Sequence, residues 1–405
     1  MKELQVVLVG NNGTGKKALT RKLLHEFPCQ HNNVSHKAKV TADDCAEIGI
    51  VCAFSGECSH CACDSKTSAT MRARFRIAQK DCNIIIPSSI QTFLKSLTTG
   101  FNADAVLLAV DGSKGVTEQT CQYAYLAAMF GIKEVITVIN KMDLILYDRA
   151  TFEAISERMR IFLKGLKMSI IAVIPASAQN GDNIVAGSTL MKWSSSPTLM
   201  RSLGYIGTGR DLTQMPLRVL VQYSYVSDGQ TTVLGKVISG TLHKNDVLTF
   251  GSVNHTTRLS SMKVSSQERN LAEPTEPVTL TLEDPGNIKR GQVGFDMRCP
   301  PLISEYLVGH VFWAGNGPLN LGDQVNIFCG TACCCAQVDS ISEVVNPLYP
   351  DIACNTGDRL PTSHVGKLGI TLDTPVCVDP ISRGTRLSRF GIIKNHVIVG
   401  GGILE

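Results

Sequence analysis

The sequence predicts an α/β domain, a mostly parallel sheet with flanking helices, followed by two all-β barrels. Three observations predict this. In the first half, short apolar runs alternate with segments of helical periodicity, the pattern of βαβ units. From about Met191 to Gln214 that pattern breaks into Ser, Gly, Thr and Pro, with a brief helical piece near Leu199 to Leu203. Beyond it, apolar residues recur with a period of two between turn sequences, as in closed all-β units.

Leu4 to Val9 is a continuous apolar run of buried-strand type and leads into a glycine turn. Leu19, Leu23, Leu24 and Phe27 then recur at helical spacing. Ala105 to Val110 reads as a second buried strand, Thr117 to Phe130 as a helix, and Glu134 to Ile139 as the next strand. Phe152, Ile155, Met159, Phe162 and Leu166 mark one face of a further helix, and Ile170 to Ile174 is one more strand. Ligands of such sheets lie at the carboxyl ends of the strands. In the second half Leu217, Val219, Val221 and Tyr223 alternate, as do Val278, Leu280 and Leu282, and Leu368, Ile370 and Leu372. Turn sequences such as Asp228-Gly229, Lys244-Asn245 and Gly322-Asp323 separate them. The stretch has room for two barrels, divided near Cys299-Pro300-Pro301. The expected domains are therefore residues 1–205, 206–300 and 301–405.

A chain of 405 residues with 43% hydrophobic and 18% charged residues is an ordinary globular composition. Its formal net charge of +4 neither requires nor excludes a nucleic acid. The opening apolar run is too short for a signal peptide or a membrane span. The expectation is a cytoplasmic protein without membrane attachment, with its fifteen cysteines as reduced thiols. Cys58, Cys61 and Cys63, with His60 among them, have spacing that could present thiolates to zinc, but no second pair follows at suitable spacing. Cys333, Cys334 and Cys335 lie beside strand-like sequence and are expected to pack. No metal site is assigned.

Two motifs carry chemistry. Gly10-Asn11-Asn12-Gly13-Thr14-Gly15-Lys16-Lys17 follows a strand and opens a helix. It fits the phosphate-loop pattern G-x-x-x-x-G-K and departs from Ser/Thr at the last place. The backbone of Asn12, Gly13, Thr14, Gly15, Lys16, Lys17 and Ala18 is thus a candidate phosphate cradle, with Lys16 adding a point charge. The other reading is a glycine turn that merely starts a helix. Asn140-Lys141-Met142-Asp143 matches the N-K-x-D guanine box, in which the carboxylate accepts from the ring N–H and exocyclic amine of the base. Alone it could be a capping turn. Ser177-Ala178, one βα unit later, would supply a backbone N–H to the guanine oxygen.

The run from Ala103 to Asp111, with Lys114-Gly115-Val116, Gln119-Thr120, Gly131-Ile132-Lys133 and the guanine box, resembles translation elongation factor 1-alpha and its relatives. So do Gly181-Asp182-Asn183, Pro197-Thr198-Leu199, Pro216-Leu217-Arg218, Gly235-Lys236-Val237, Ile288-Lys289-Arg290-Gly291 and Pro375-Val376-Cys377-Val378. Nearly the whole chain is covered except about Pro28 to Ile86. The resemblance implies a P-loop GTPase domain with two barrels, a GTP/GDP cofactor, and a ribosome, tRNA or release- or rescue-factor-type protein as partner. It implies a monomer or a heteromeric complex, and no DNA. The group includes elongation factors, release and rescue GTPases, and the GTPase subunit of sulfate adenylyltransferase; Val233-Leu234-Gly235-Lys236 leans towards release and rescue factors, Gly181-Asp182-Asn183 with Pro197-Thr198-Leu199 towards elongation factors or the sulfate enzyme, and Val221-Gln222-Tyr223 and Val378-Asp379-Pro380 towards the sulfate enzyme.

Against that family's pattern the hydrolytic positions are replaced. Its D-x-P-G-H box aligns with Ile86, Pro87, Ser88, Ser89 and Ile90, so the Mg²⁺-linked Asp and the water-orienting His both become isoleucine. The glycine that senses the γ-phosphate becomes Ser89. The switch threonine becomes Val51 in Ile48-Gly49-Ile50-Val51, and the Mg²⁺ hydroxyl becomes Lys17. Asp81 lies further upstream, but the alignment gives it no support as a shifted replacement for the lost Asp. Cys52 to Met71 is expected to be a mobile surface loop. The expectation is a guanine-nucleotide binder without an intact hydrolytic set, in which the Lys17 ammonium either stands in for Mg²⁺ or points to solvent. The alternatives are a non-catalytic adaptor on the same scaffold and a sulfate adenylyltransferase subunit.

Overall fold

The computed structural model describes residues 3–25, 70–77, 80–99, 101–207, 209, 211–227, 229–251, 255–284, 286–352, 354, 357–395 and 397–405. These form two compact units, Met1–Phe93 with Asn102–Gly209, and Leu94–Phe101 with Arg210–Glu405.

The first unit runs β1 (Leu4–Val9), α1 (Lys16–His25), β2 (Met71–Ile77), β3 (Lys80–Ile86), α2 (Ile90–Thr98, divided between the units), β4 (Ala105–Asp111), α3 (Glu118–Met129), β5 (Glu134–Asn140), α4 (Arg149–Gly165), β6 (Ser169–Pro175) and α5 (Leu199–Tyr205). Its sheet has the order β2-β3-β1-β4-β5-β6, and every pairing is parallel except β2 with β3. The central strands are buried on both faces, so they read as unbroken apolar runs. Leu4, Val6 and Leu8 of β1 pack with Leu19 and Leu23 of α1 and with Leu199 and Leu203 of α5 in one core cluster. Removing one such leucine side chain would cost about 2–5 kcal/mol.

Caps and turns set the helix ends. Thr117 accepts from the Thr120 N–H at the start of α3, Asp148 from Thr151 at α4, and Thr198 from Arg201 at α5. The buried face of α4 is Phe152, Ile155, Ser156, Met159 and Leu163, so Leu163 takes the place that Phe162 and Leu166 were expected to fill.

The antiparallel pair β2–β3 was not anticipated. Its signal is the alternation of Ala73, Phe75 and Ile77, all buried, with Arg72, Arg74 and Arg76. Met71, placed by sequence at the end of a loop, is the first residue of β2. The rest of that expected loop lies outside the described residues.

In the second unit, strands Arg218–Ser227, Gln230–Ser239, Pro277–Leu282, His255–Val264, Val247–Phe250 and Val293–Phe295 pair in a closed ring. A second closed barrel consists of Leu302–Trp313, Val365–Val378, Ala332–Val345, Gln324–Cys329, Arg389–Lys394 and Val397–Leu404. The alternating residues Val278, Leu280, Leu282, Leu368, Ile370 and Leu372 all point into these cores. Tyr223 does not. A register irregularity after Val221 leaves it 61% exposed.

The two barrels are joined by an ion pair buried on both sides. Arg218 Nε and Nη2 donate to the two carboxylate oxygens of Asp379, each at 2.9 Å, and both residues have no exposed surface. Arg218 Nη1 also donates to the Leu217 and Cys299 carbonyls, while Thr385 and Arg383 donate to Asp379. The pair therefore has the additional hydrogen bonds a desolvated ion pair needs.

Cys334 is buried in the second barrel's core, and that burial pushes its thiol pKa up to about 12. Cys333 and Cys335, expected to pack, lie on the opposite face of the same strand and are exposed. Among the described residues no helix is long and apolar enough to cross a membrane.

Candidate functional site

Three loops meet at the carboxyl edge of the sheet. The first follows β1. Gly15 has φ +87°, and a Cβ there would lie 2.3 Å from Asn140 Nδ2, so glycine is required for both conformation and clearance. Lys16 folds back over the loop, its Nζ donating to the Gly10 and Asn11 carbonyls at 2.5 and 3.0 Å. Burial lowers its pKa to about 8. Thr14 is buried and its hydroxyl donates to the Asn11 carbonyl. Gly13 is exposed with φ +83°, and Asn12 and Lys17 are also exposed, while Ala18 is half-buried.

The second loop follows β5. Asn140 is buried and binds in two directions. Its Nδ2 donates to the Thr14 carbonyl at 2.8 Å, and its Oδ1 accepts from the Ala178 N–H at 2.8 Å. One side chain thus ties the glycine loop to the loop after β6. Lys141 sits in the left-handed region at φ 65°, which costs a non-glycine residue about 1–3 kcal/mol and persists only where its surroundings hold it. Its Nζ lies 2.7 Å from Asp111 Oδ2.

The third loop follows β6. Ser177, fully buried, donates through Oγ to Asp143 Oδ1 at 2.6 Å. Tyr147 donates to Asp182, and Asn180 donates to the Tyr147 hydroxyl, which braces this loop from outside. Within the Ser177-Ala178 turn, expected to offer a backbone N–H to a base oxygen, the Ala178 N–H donates to Asn140 Oδ1.

Asp111 was not among the expected site residues. It ends β4 at the same height as Asn140 on β5. Its signal was a lone carboxylate closing an apolar strand. Burial pushes its pKa up, but the hydrogen bonds from Lys141 and Ser113 and the Lys141 charge outweigh it and hold the carboxyl below its usual value.

The expected hydrolytic positions lie at the same edge. Ile86 ends β3 and is buried, Ser88 and Ser89 form the bend that follows, and Ile90 begins α2. Ser89 and Thr92 exchange hydrogen bonds and cap the helix. Asp81 is the second residue of β3, near the opposite end of the strand, on the order of 17 Å from Ile86 at the strand rise, and lies 3.8 Å from Arg76. It cannot replace the missing carboxylate. Val51, with Ile48 to Ile50, Cys58, His60, Cys61 and Cys63, lies outside the described residues.

A glycine phosphate loop, a guanine-box strand end and a serine turn are thus held together by one asparagine. The Elongation factor Tu GTP binding domain family matches residues 1–238. The chain belongs to this family. Residues 307–405 match the GTP-eEF1A C-terminal domain-like family, so this EF-Tu-type GTP-binding domain is followed by an elongation-factor-type barrel. Among relatives, sulfate adenylyltransferase subunit 1 of Aeromonas hydrophila is 29% identical over 321 residues, 78% of this chain and 66% of that one. The same-named subunit of Laribacter hongkongensis is 25% identical over 93% of this chain and 79% of its own. Elongation factor 1-alpha of Methanothermobacter thermautotrophicus is 27% identical over 82% of each chain. The match to the Aeromonas protein thus spans about two thirds of that relative's own length.

Proposed function

We propose that the chain holds a guanine nucleotide at this edge and turns it over slowly or not at all. The observation that carries the reading is the bracket around Asn140, which joins the glycine loop to the Ser177-Ala178 turn while Ser177 orients Asp143. With Ser177 on one carboxylate oxygen, Asp143 can accept from the ring N–H and amine of guanine. Adenine, lacking that donor pair, would leave a desolvated carboxylate unsatisfied. Lys16 and the loop N–H groups would take the phosphates.

Phosphoryl transfer depends on groups that position water and neutralise developing charge. Ile86 and Ile90 offer neither a hydrogen-bond donor nor an acceptor, and Val51 lacks the hydroxyl by sequence. Such losses support a nucleotide-holding protein that works through its partners, as an adaptor of the translation-factor type. Calorimetry with GTP, GDP and ATP tests the binding, and single-turnover phosphate release tests the chemistry. Adenine preference, or turnover at the pace of intact unstimulated GTPases (about 10⁻⁴ to 10⁻² s⁻¹), would sink the reading. Ribosome co-sedimentation that depends on nucleotide would identify a translational partner.

A second reading is favoured by the names of two of the relatives above: a regulatory subunit of a sulfate adenylyltransferase assembly. Its test is co-purification with a sulfate-activating catalytic subunit, and a pull-down that recovers none disposes of it.

A further inference from the structure

The family to which this domain belongs uses Mg²⁺ beside the phosphates, and the donor set here does not fit that ion. Mg²⁺ requires oxygen ligands in near-octahedral array. At the first helical turn the family's hydroxyl is Lys17, whose ammonium has no lone pair and repels a cation. At the end of β3 the family's carboxylate is Ile86, buried and apolar. Among the described residues, the other carboxylates at this edge are committed: Asp111 to Lys141 and Ser113, Asp143 to Ser177, and Asp182 to Tyr147 and Ser188. Asp81 is at the wrong end of its strand.

The same substitution that removes a metal ligand supplies a positive charge. Lys17 is the second residue of α1, a ten-residue helix with no acidic residue in its first turn. It is exposed, and makes no hydrogen bond or ion pair among the described residues. Lys16 is differently placed, since its ammonium is drawn back onto the Gly10 and Asn11 carbonyls. The two neighbouring lysines are thus differently placed: in the free loop Lys16 rests on that loop's own carbonyls, while Lys17 is exposed at the start of the helix beside the glycine loop.

We propose that the Lys17 ammonium replaces Mg²⁺ at this site, so that a nucleoside diphosphate binds without metal. This rests on the guanine-nucleotide reading above. A compact ammonium with three donors can pair with non-bridging phosphate oxygens. It cannot supply the coordination geometry that Mg²⁺ gives to a transferring phosphoryl group, which agrees with Ile86 and Ile90 standing in place of hydrolytic side chains. Loss of the metal ligands and gain of the lysine would then be one change, from a metal-dependent switch to a metal-free holder.

The test is titration of the full chain with fluorescent GDP, in Mg²⁺ and in chelator, for the wild type, Lys17→Ala and Lys17→Met. The methionine keeps the apolar stem and removes only the charge, and melting curves confirm that both variants fold. Wild-type affinity is expected to agree within about twofold between the two conditions, and both variants to weaken roughly tenfold or more in either, the scale of one charge-assisted phosphate contact. A wild type that loses tenfold or more in chelator overturns the proposal, as do variants that bind like the wild type. No binding of GDP in either condition overturns the guanine reading itself, whereas a Mg²⁺ requirement overturns only the role given to Lys17.

Discussion

The Asp111 carboxylate lies 2.7 Å from the Lys141 ammonium, a pair assembled from the ends of neighbouring parallel strands. Lys141 has a left-handed backbone, and Asp111 is nearly fully buried. The ion pair therefore holds a strained residue in place beside Asn140 and Asp143. Replacing Asp111 by Ala leaves the lysine without its counter-charge. We expect a loss of about 1–3 kcal/mol in urea unfolding and weaker GDP binding. Unchanged affinity and stability would show that Lys141 is positioned by something else.

Asp143 is expected to set base choice. Asp143→Ala removes an acceptor for two donors of guanine, each bond to a charged group being worth about 1.5–3 kcal/mol. Guanine affinity should fall roughly 100-fold or more while adenine affinity hardly moves, as read by calorimetry.

Lys16 predicts a pH dependence. Burial lowers its pKa to about 8 in the free protein. Phosphate binding requires the charged ammonium, so above about pH 8 binding must also take up a proton. Affinity for GDP should be flat below that pH and decline above it, approaching tenfold per pH unit. Lys16→Arg, charged throughout, should abolish the slope whatever its absolute affinity.

The Arg218–Asp379 pair governs the barrels. Removing either partner leaves a buried charge uncompensated, at a cost of about 3–5 kcal/mol. Burial raises the Asp379 pKa, but the hydrogen bonds from Arg218, Thr385 and Arg383 and the Arg218 charge outweigh it, so the folded-state value is below the usual one. A carboxyl depressed in the folded state contributes stability above its unfolded pKa of about 4. That contribution is lost as pH falls through the lower folded value. Acid unfolding should therefore lose its steepest part in Asp379→Asn, measured by circular dichroism between pH 5 and pH 2 (an experimental range of about three units).

Much of the fold was legible because apolar periodicity reports burial directly. Leu4 to Val9 and Ala105 to Val110 are continuous because both faces of the sheet are covered, and Val278, Leu280 and Leu282 alternate because a barrel has one inside. The β2–β3 pair carries the same alternation only in short form, three buried residues between arginines, too brief to stand out from the loop sequence before it. Tyr223 broke its pattern at an irregularity that no local signal announced.

The sequence by itself determined most of the order of strands and helices, the glycine loop, the guanine-box residues and the presence of Lys17 and Ile86 where the family resemblance leads one to expect oxygen-bearing side chains. Those are properties of residue type and spacing along one chain. Only the tertiary structure decided that Asn140 spans two loops, that Asp111 rather than a nearer residue holds Lys141, and that Arg218 meets Asp379 across 161 positions. Long-range polar partners leave no period behind them, since a hydrogen bond depends on where two strands end in space and not on how far apart they lie in sequence.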